Sequence, residues 1–299
     1  MKKVLIAGLA MLAMSAGVFA APLKTLHFCG GLDGGFYDGF SKTIGSDIVS
    51  KSAGLATVDF INTKGSVDSA AKMKSGACDI AILQADAVTS RPMPNDITTT
   101  DAHSEAIFWI HPVDGPVKDF NDLSKDEFKN YGVAIVDGSG AEVTLRNFGN
   151  VDKDFKDLNI VGFKNWRWAA KAVSEGKVRK SGNDLRIAGM IYVGLQGRLS
   201  SEITGEFRDQ LRVGQVKVSA LKAVKDFNGN PLYPACPISN TNGISTSNTW
   251  GDPDTYCVRA QVVYNNDVFK DMEDADAEEL QTAVDKAIVQ GVRNQKAAK

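Results

Sequence analysis

The chain has 299 residues and a formal net charge of −2, with 34 basic and 36 acidic side chains. This length allows a large buried core and is most naturally divided between two lobes. A near-neutral chain without a basic run excludes nucleic acid as an expected partner, and after the start of the chain no stretch approaches the roughly 20 apolar residues of a membrane span.

The N-terminal segment MKKVLIAGLAMLAMSAGVFA has the pattern of an export signal. Lys2 and Lys3 precede an apolar run, and Val18 and Ala20 fit the small residues that precede a cleavage site. The sequence therefore predicts a signal peptide over residues 1–20. The mature chain would then work outside the cytoplasm, in an oxidising compartment.

Strands and helices alternate in the first part of the mature chain. Short apolar runs predict strands, and apolar residues at helical spacing predict helices. In chain order these are a strand over 25–29, a helix over 36–52, a strand over 56–61, a helix over 66–75 with Ser66 as its N-cap, and strands over 79–84 and 105–112. This order predicts a mostly parallel sheet with right-handed crossovers.

A second α/β unit follows the first. The same patterns predict a strand, a Gly-Ser-Gly turn and a helix over 131–150, a helix over 165–178, strands over 185–194, 216–224 and 256–266, and a final helix over 274–295. The predicted fold class is α/β with two lobes. The long apolar segments 105–112 and 256–264 are the candidates for strands that cross between the lobes.

The predicted lobes are discontinuous in the chain because the last helix follows a crossing strand. We assign residues 21–110 and 257–299 to the first lobe and residues 111–256 to the second. A ligand cleft is expected where the two lobes meet.

Four cysteines are compatible with disulfides in an oxidising compartment. Cys236 and Cys257 bracket a polar stretch rich in Ser, Thr and Asn, and we predict a bond between them, worth about 3 kcal/mol in the chain-entropy model. Cys29 and Cys78 each adjoin a predicted strand and are interpreted as small buried residues, with their pairing left open. No cysteine and histidine cluster has metal-binding spacing, so no metal site is predicted.

Four polar loops, 30–37, 62–66, 84–86 and 137–142, follow predicted strands. Ligands of open parallel sheets bind beyond the carboxyl ends of the strands. Three of these loops lead into predicted helices, so free backbone N–H groups and positive dipole ends would face the cleft, which suits an anion. The alternative interpretation is that Gly and Ser serve only to turn the chain.

Nucleotide and catalytic motifs are missing from the sequence. The loop 30–37 lacks G-x-G-x-x-G spacing, and no G-x-x-x-x-G-K-[ST] occurs. His27 falls in a predicted strand, His103 in a polar loop and His111 beside a proline, and no G-x-S-x-G or H-E-x-x-H is present. The sequence therefore favours a binding protein without a cofactor over an enzyme.

Several side chains could complete an anion site. Lys64, Arg146 and Arg167 are the candidate cations, and the sequence does not choose among them. Trp166 and Trp168 are two positions apart on a predicted helix, so they point to different faces. At least one of them is expected near the surface or the cleft.

Three segments resemble the TAXI family, the periplasmic solute receptors of tripartite ATP-independent periplasmic (TRAP) transporters. They are GGLDGGFYDGF (30–40), NTKGSVDSAAKMKSGACDIAILQADAV (62–88) and VDGSGAEVT (136–144), of which the middle one is the most specific. The resemblance implies a periplasmic location and a type II periplasmic-binding-protein-like fold with hinge strands between the lobes. It also implies a small organic anion as ligand, either a dicarboxylate or an acidic amino acid, such as glutamate or 2-oxoglutarate. The membrane subunits of a TRAP transporter would be its partners, and the receptor is expected to be a monomer.

The resemblance also assigns ligand contacts position by position. Together with Lys64, which stands where the family usually has glycine, the candidate residues are Gly34, Gly35, Tyr37, Thr63, Ser66, Gln84, Asp86, Ser139 and Gly140. An ionised Asp86 would pair with an amine on the ligand, whereas a keto acid would have to satisfy or avoid that charge.

Two other functions fit the same sequence. A ligand sensor could dock on a membrane receptor and transport nothing, and the sequence does not separate this role from transport. A periplasmic enzyme acting on a small acid is the alternative from another class, with Asp86 as its base.

Overall fold

The computed structural model describes residues 24–180, 182–247 and 253–297. The predicted signal peptide, residues 1–20, lies outside the described residues. None of the described helices is long and apolar enough to cross a membrane.

The described elements alternate between strands and helices over most of their length. The strands are β1 (Lys24–Gly31), β2 (Ala56–Asn62), β3 (Ile80–Gln84), β4 (Ile97–Pro112), β5 (Gly132–Val136), β6 (Asn159–Phe163), β7 (Lys177–Lys180), β8 (Asn183–Gly194), β9 (Leu211–Gly214), β10 (Ala235–Pro237) and β11 (Asp254–Asn265). The α-helices are α1 (Phe36–Lys51), α2 (Ser66–Lys74), α3 (Ala85–Ser90), α4 (Gly140–Val151), α5 (Trp166–Ser174), α6 (Ser201–Thr204) and α7 (Asp274–Ala297).

One sheet runs through both lobes in the order β2-β1-β3-β11-β4-β8-β5-β6. Strands β2, β1 and β3 are parallel to one another, as are β8, β5 and β6. Between these two parallel groups lie β11 and β4, each antiparallel to both of its neighbours. The predicted fold class, a two-lobed α/β fold of the type II periplasmic-binding-protein kind with hinge strands between the lobes, is confirmed.

The strands β4 and β11 cross between two hydrophobic cores. Ala102 and Val262 pack in the core of the first lobe, whereas Ala106 and Val258 pack in the core of the second. The two strands pair with each other along most of their length. They are the crossing strands predicted from the sequence, while the lobe boundaries assigned above stay predictions.

Helical spacing of apolar side chains fixes α1 and α7 on the first lobe. Ile44 and Ile48 of α1 and Val284 and Ile288 of α7 are four residues apart in each helix, so each pair lies on one helix face. All four are buried in one cluster with Leu26 of β1. This packing holds the N-terminus of α1 at the carboxyl edge of the sheet.

Aromatic rings organise the core of the second lobe. Trp109 of β4 packs edge-on against Phe120, with 5.5 Å between the ring centres. Phe120 packs in the same way against Phe148 of α4, with 5.2 Å between the ring centres. Phe148 in turn contacts Tyr233 at 6.4 Å. Such edge-to-face pairs are favourable and directional, so α4 and Tyr233 are held in a fixed relation to the hinge strand β4.

Two disulfides join the described cysteines. Cys236 of β10 is bonded to Cys257 of β11, as predicted. Cys29 of β1 is bonded to Cys78, two residues before β3, so the pairing left open by the sequence is present in the structure. Each bond connects neighbouring segments of the sheet, one in each lobe.

The predicted strand over 216–224 is wrong. A short 3₁₀ helix, Ser219–Ala223, occupies its centre. Val216 and Val218 are both buried and alternate as in a strand, but the next buried residue is Leu221, at helical spacing. Alternation over only three residues was too short to specify a strand.

Three local predictions are also corrected. The strand predicted over 105–112 begins earlier, at Ile97, because β11 pairs with the whole segment. His103 was expected in a polar loop and instead lies buried in β4. Ser66 is the first residue of α2 and Gly65 is its N-cap, because the Ser66 hydroxyl accepts a hydrogen bond from the backbone N–H of Gln84 at 3.1 Å.

Candidate ligand-binding site

A cleft of about 1080 Å³ lies between the two lobes. The first lobe contributes the start of α1 and the loop between β2 and α2. The second lobe contributes the loop between β5 and α4, the start of α5 and the segment that follows β8. The hinge strand β4 contributes Glu105 to the lining.

Three helices from both lobes begin at this cleft. Their N-cap residues are Gly35 for α1, Gly65 for α2 and Ser139 for α4, and all three line the cleft. Within the described chain, none of the three helix starts receives a side-chain cap. Backbone N–H groups and the positive ends of three helix dipoles therefore converge on one space, an arrangement that attracts anions.

The lobes touch each other where α2 and α4 begin. The backbone N–H groups of Val67 and Asp68 donate to the carbonyl oxygen of Gly138 at 3.2 and 3.4 Å. Gly65 has a φ of +134°, and a Cβ added to it would lie 2.9 Å from the Cα of Ser139. Glycine is required here both by the backbone conformation and by the approach of the opposite lobe.

The structure brings eight of the ten candidate residues to the cleft. They are Gly34, Gly35, Tyr37, Lys64, Ser66, Gln84, Ser139 and Gly140. Thr63 and Asp86 are buried outside the cleft lining. Their assignment as ligand contacts rested on their place in the loops that resemble the TAXI family, and the loop position alone does not fix where a side chain points.

Thr63 and Asp86 are engaged within the protein. The hydroxyls of Thr63 and Ser69 share a hydrogen bond at 2.8 Å. Oδ2 of Asp86 accepts hydrogen bonds from the hydroxyls of Thr144 at 2.6 Å and Tyr233 at 2.9 Å. Asp86 follows a first-lobe strand, whereas its two donors belong to the second lobe, so its carboxyl group connects the lobes.

Burial raises the pKa of Asp86 from its ordinary 3.8 to about 6. The hydrogen bonds from Thr144 and Tyr233 stabilise the ionised form and oppose this shift. Oδ1 of Asp86 is buried without a hydrogen-bond partner in the described chain. The cost of burying this carboxyl group is reduced by its two hydroxyl donors and by a hydrogen bond from the backbone N–H of Ala87.

Five buried polar atoms in the cleft lining have no hydrogen-bond partner among the described residues. They are the hydroxyl of Tyr37, Oε1 of Gln84, Oγ of Ser139, and Nε2 and Oε1 of Gln295. Buried polar groups are ordinarily paired, so these atoms are the first candidates for ligand contacts. The amide of Gln84 packs so closely on Gly140 that an added Cβ there would lie 2.0 Å from Oε1.

Glu105 is a cleft residue that the sequence did not reveal. It is only 3% exposed, and it accepts hydrogen bonds from Nε2 of Gln84 at 2.8 Å and Nε2 of His103 at 3.1 Å. The only signal in the sequence is a single acid at the start of an otherwise apolar run. Such a residue usually marks the solvated end of a strand, and the pairing of β4 with β11 instead buries it at the hinge.

Aromatic side chains surround this acid. Burial, and then the charge of Glu105, raise the pKa of Tyr37 and of Tyr192 well above the ordinary value of 10. Both hydroxyls are therefore neutral and able to donate. Trp166 packs on Tyr192 at 4.7 Å and lines the cleft, whereas Trp168 is 53% exposed.

Two cations line the cleft, Lys64 and Arg198. Both are exposed, and the guanidinium of Arg198 lies 5.7 Å from the centre of the Phe36 ring. Lys64 was a candidate from its sequence position, but Arg198 follows β8 in a segment without a motif. Only the folding of the second lobe brings it opposite α1.

The other two candidate cations lie outside the cleft lining. Arg146 pairs with Glu142 at 3.1 Å, one helical turn away on α4. Arg167 pairs with Glu206 at 2.9 Å. Both arginine side chains are largely exposed to solvent, so each pair is expected to contribute little to stability.

No model of a known protein family matches the chain, and no curated protein matches it. Among solved structures, it is similar to the ligand-binding core of GluR0 from Nostoc punctiforme in complex with L-glutamate (10% identity, 92% of this chain, 98% of that chain, TM-score 0.48). It is also similar to MatC (Rpa3494) from Rhodopseudomonas palustris with bound malate (14% identity, 91% and 87%, TM-score 0.46). A third is XAC2383 from Xanthomonas citri bound to ATP (9% identity, 87% and 82%, TM-score 0.48). At these TM-scores the likenesses say nothing about the ligand of this chain.

Proposed function

We propose that this chain is an exported receptor that holds a small organic anion in the cleft between its two lobes. One observation carries the proposal: α1, α2 and α4 begin at the same cleft, beside buried polar atoms that lack a partner in the described chain. Backbone N–H groups at the starts of α1 and α4 would donate to carboxylate oxygens, whereas Val67 and Asp68 of α2 already donate to Gly138. Tyr37 and Ser139 would add hydroxyl donors.

Charge supports an anionic ligand. Lys64 and Arg198 lie at the exposed side of the cleft, where a cation attracts an approaching anion through solvent. Neither forms an ion pair with an acid among the described residues that would consume its charge. The two cations would therefore raise the association rate and add modestly to affinity.

The hinge supports capture by lobe movement. The crossing strands β4 and β11 connect the lobes, and the loops 62–66 and 137–142 meet across the cleft. Two-lobed proteins with such hinges close around their ligands through small changes at the hinge. We propose that ligand binding stabilises the contacts of Gly138 with α2.

We do not assign catalysis to this cleft. A catalytic serine needs a base within hydrogen-bond reach, and the hydroxyl of Ser139 has no partner among the described residues. Asp86, the base of the enzyme alternative, lies outside the cleft lining.

The destination of the ligand is proposed from the TAXI resemblance. On this proposal the receptor works in the periplasm as a monomer, without a cofactor, and delivers its ligand to the membrane subunits of a TRAP transporter. Uptake of radiolabelled ligand by proteoliposomes containing those subunits should require this receptor. If uptake proceeds at the same rate without the receptor, the proposed delivery to a TRAP transporter is wrong, and the ligand-sensing role is the alternative that stands.

Isothermal calorimetry on ligand-free protein tests the binding function itself. Titration with a panel of small mono- and dicarboxylates and amino acids should give one site per chain for at least one compound. Ser139→Ala should weaken that binding by about 10-fold, the value of one hydrogen bond to a charged group. Ser46→Ala, an exposed hydroxyl on α1, is the matched control. If folded protein gives no heat with any compound, the proposed function is wrong.

A further inference from the structure

Among the described residues that line the cleft, Glu105 is the one buried acidic side chain. Both of its carboxylate oxygens are engaged, with Gln84 on one side and His103 on the other. Among the described residues, His103 is the only basic side chain within ion-pair distance of it. No Lys or Arg side chain of the described chain therefore pairs with this carboxyl group.

Among the described residues, the ring of His103 makes one hydrogen bond, to Glu105. Its Nε2 is 3.1 Å from Glu105, so the proton lies there and is donated to the carboxylate. Its Nδ1 is buried and has no partner in the described chain. A second proton on Nδ1 would be an unsatisfied donor on a buried charged ring, which is unfavourable. His103 therefore serves Glu105 as a hydrogen-bond donor.

The surroundings of Glu105 suit a cation. Tyr37, Tyr192 and Trp166 line the same cleft, and the charge of Glu105 acts on both tyrosine hydroxyls. Aromatic faces attract ammonium groups, and more strongly when water is excluded. A carboxylate on the ligand would instead meet a like charge at low solvent exposure, which is strongly unfavourable.

We propose that Glu105 is the specificity-determining residue of the cleft and that it accepts a hydrogen bond from an ammonium group of the ligand. This rests on the proposed function, since the carboxylate of the same ligand is held by the helix N-termini. The ligand is then a zwitterion, and an acid that places a second carboxylate or a keto oxygen beside Glu105 is rejected. Glu105 takes the role that the sequence suggested for Asp86.

Matched pairs of compounds test this assignment. Each α-amino acid is compared by calorimetry with the 2-oxo acid of the same skeleton, for example L-glutamate with 2-oxoglutarate. For the skeleton that binds, the amino acid should bind at least about 10-fold more tightly, as expected for one charge-assisted hydrogen bond. Glu105→Gln should remove most of that preference, and Glu105→Asp should retain part of it. Asp86→Asn, outside the cleft lining, is the control and should leave the preference unchanged.

The outcomes separate the two proposals. If a 2-oxo acid binds as tightly as its amino acid, or if Glu105→Gln keeps the full preference while its thermal unfolding matches that of the wild type, the role of Glu105 is overturned and the anion receptor stands. If Glu105→Gln does not fold, the preference of Glu105→Asp for the amino acid over the 2-oxo acid is used instead. A reduced preference supports the role of Glu105, and an unchanged preference overturns it. If no member of any pair binds, the proposed function fails and the assignment of Glu105 fails with it.

Discussion

Two buried carboxylates, Asp86 and Glu105, lie in contrasting surroundings within the same hinge region. Asp86 is fully buried and accepts hydrogen bonds from two hydroxyls of the opposite lobe, Thr144 and Tyr233. Glu105 is almost as buried, yet it lines the cleft, and its neighbour Gln84 has an unpartnered oxygen there. The first acid connects parts of the protein, and the second is directed at the space between them.

The difference shows that burial alone does not identify a ligand-binding acid. Both side chains lack a Lys or Arg partner among the described residues. What separates them is whether the polar atoms around them are satisfied by the protein. Around Asp86 the protein itself supplies the donors, whereas in the cleft around Glu105 several polar groups are left for a ligand.

The largest expected effect is the loss of stability when the Asp86 side chain is removed. At pH 5, Asp86→Ala should lower the free energy of unfolding by about 4 kcal/mol, since it leaves two buried hydroxyls without their acceptor and creates a small cavity. Asp86→Asn keeps an acceptor oxygen and should lose about 1 kcal/mol at most. Urea unfolding measures both. If Glu105→Ala destabilises the protein as much as Asp86→Ala, the contrast between the two acids is wrong.

Asp86 should also make stability depend on pH. Because its pKa is raised from 3.8 to about 6 in the folded state, the folded protein holds this proton more tightly than the unfolded chain does. The contribution of the protonated Asp86 to the free energy of unfolding is complete below about pH 4 and is lost as the pH rises through about 6. The difference between the two pKa values corresponds to about 3 kcal/mol. Urea unfolding from pH 4 to pH 7 should show wild type losing this amount relative to Asp86→Asn. Parallel curves would contradict the assignment.

Two tyrosines give a matched pair with smaller effects. Tyr233→Phe removes a donor to Asp86 and an acceptor for Asn147, and it should cost about 1–2 kcal/mol of stability without changing ligand affinity. Tyr37→Phe removes an unpartnered hydroxyl in the cleft, so its stability should be unchanged while affinity falls about 10-fold. Unfolding and calorimetry on both variants would show whether the two effects separate. The same effect in both variants would contradict the contrast.

The smallest effects are expected from the exposed cations. Lys64→Gln and Arg198→Gln should each weaken ligand binding only about threefold at low ionic strength, and less at 0.5 M salt, since solvent and salt screen exposed charges. Arg146→Gln, whose partner Glu142 lies outside the cleft lining, is the control. A loss above about 30-fold that persists in high salt would mean that the cation contacts the ligand directly.

Local patterns predicted much of the fold. The strands and helices of 25–84 have clear apolar spacing and short Gly-rich loops, so their order and parallel pairing followed directly. The polar segment 97–104 was not predicted as a strand, and it is extended because β11 pairs with it. The segment 216–224 alternates like a strand over three residues and then forms a 3₁₀ helix. Its next buried side chain, Leu221, is at helical spacing from Val218.

The candidate site was predicted unevenly for a related reason. Loops that precede helices can be recognised in the sequence by their Gly and Ser residues. Gly35, Ser66 and Ser139 were predicted as site residues in this way. Glu105 lies in the hinge strand β4, Tyr192 lies in β8 and Arg198 follows β8. No local sequence motif marks any of these positions as a binding residue. Which side chains meet across a cleft depends on contacts between residues distant in the chain.

The sequence by itself determined the two α/β units, the Cys236–Cys257 bond and the glycine-rich starts of the helices, because each depends on residues close together in the chain or on simple composition. The tertiary structure alone decided which buried acid faces the cleft. Asp86 follows the expected binding loop but meets the hydroxyls of Thr144 and Tyr233, whereas Glu105 is carried into the cleft by the crossing strand β4. From the sequence, Asp86 was chosen as a ligand contact because of its position in a loop. In the structure, the two acids differ in whether the protein itself supplies the polar partners around them.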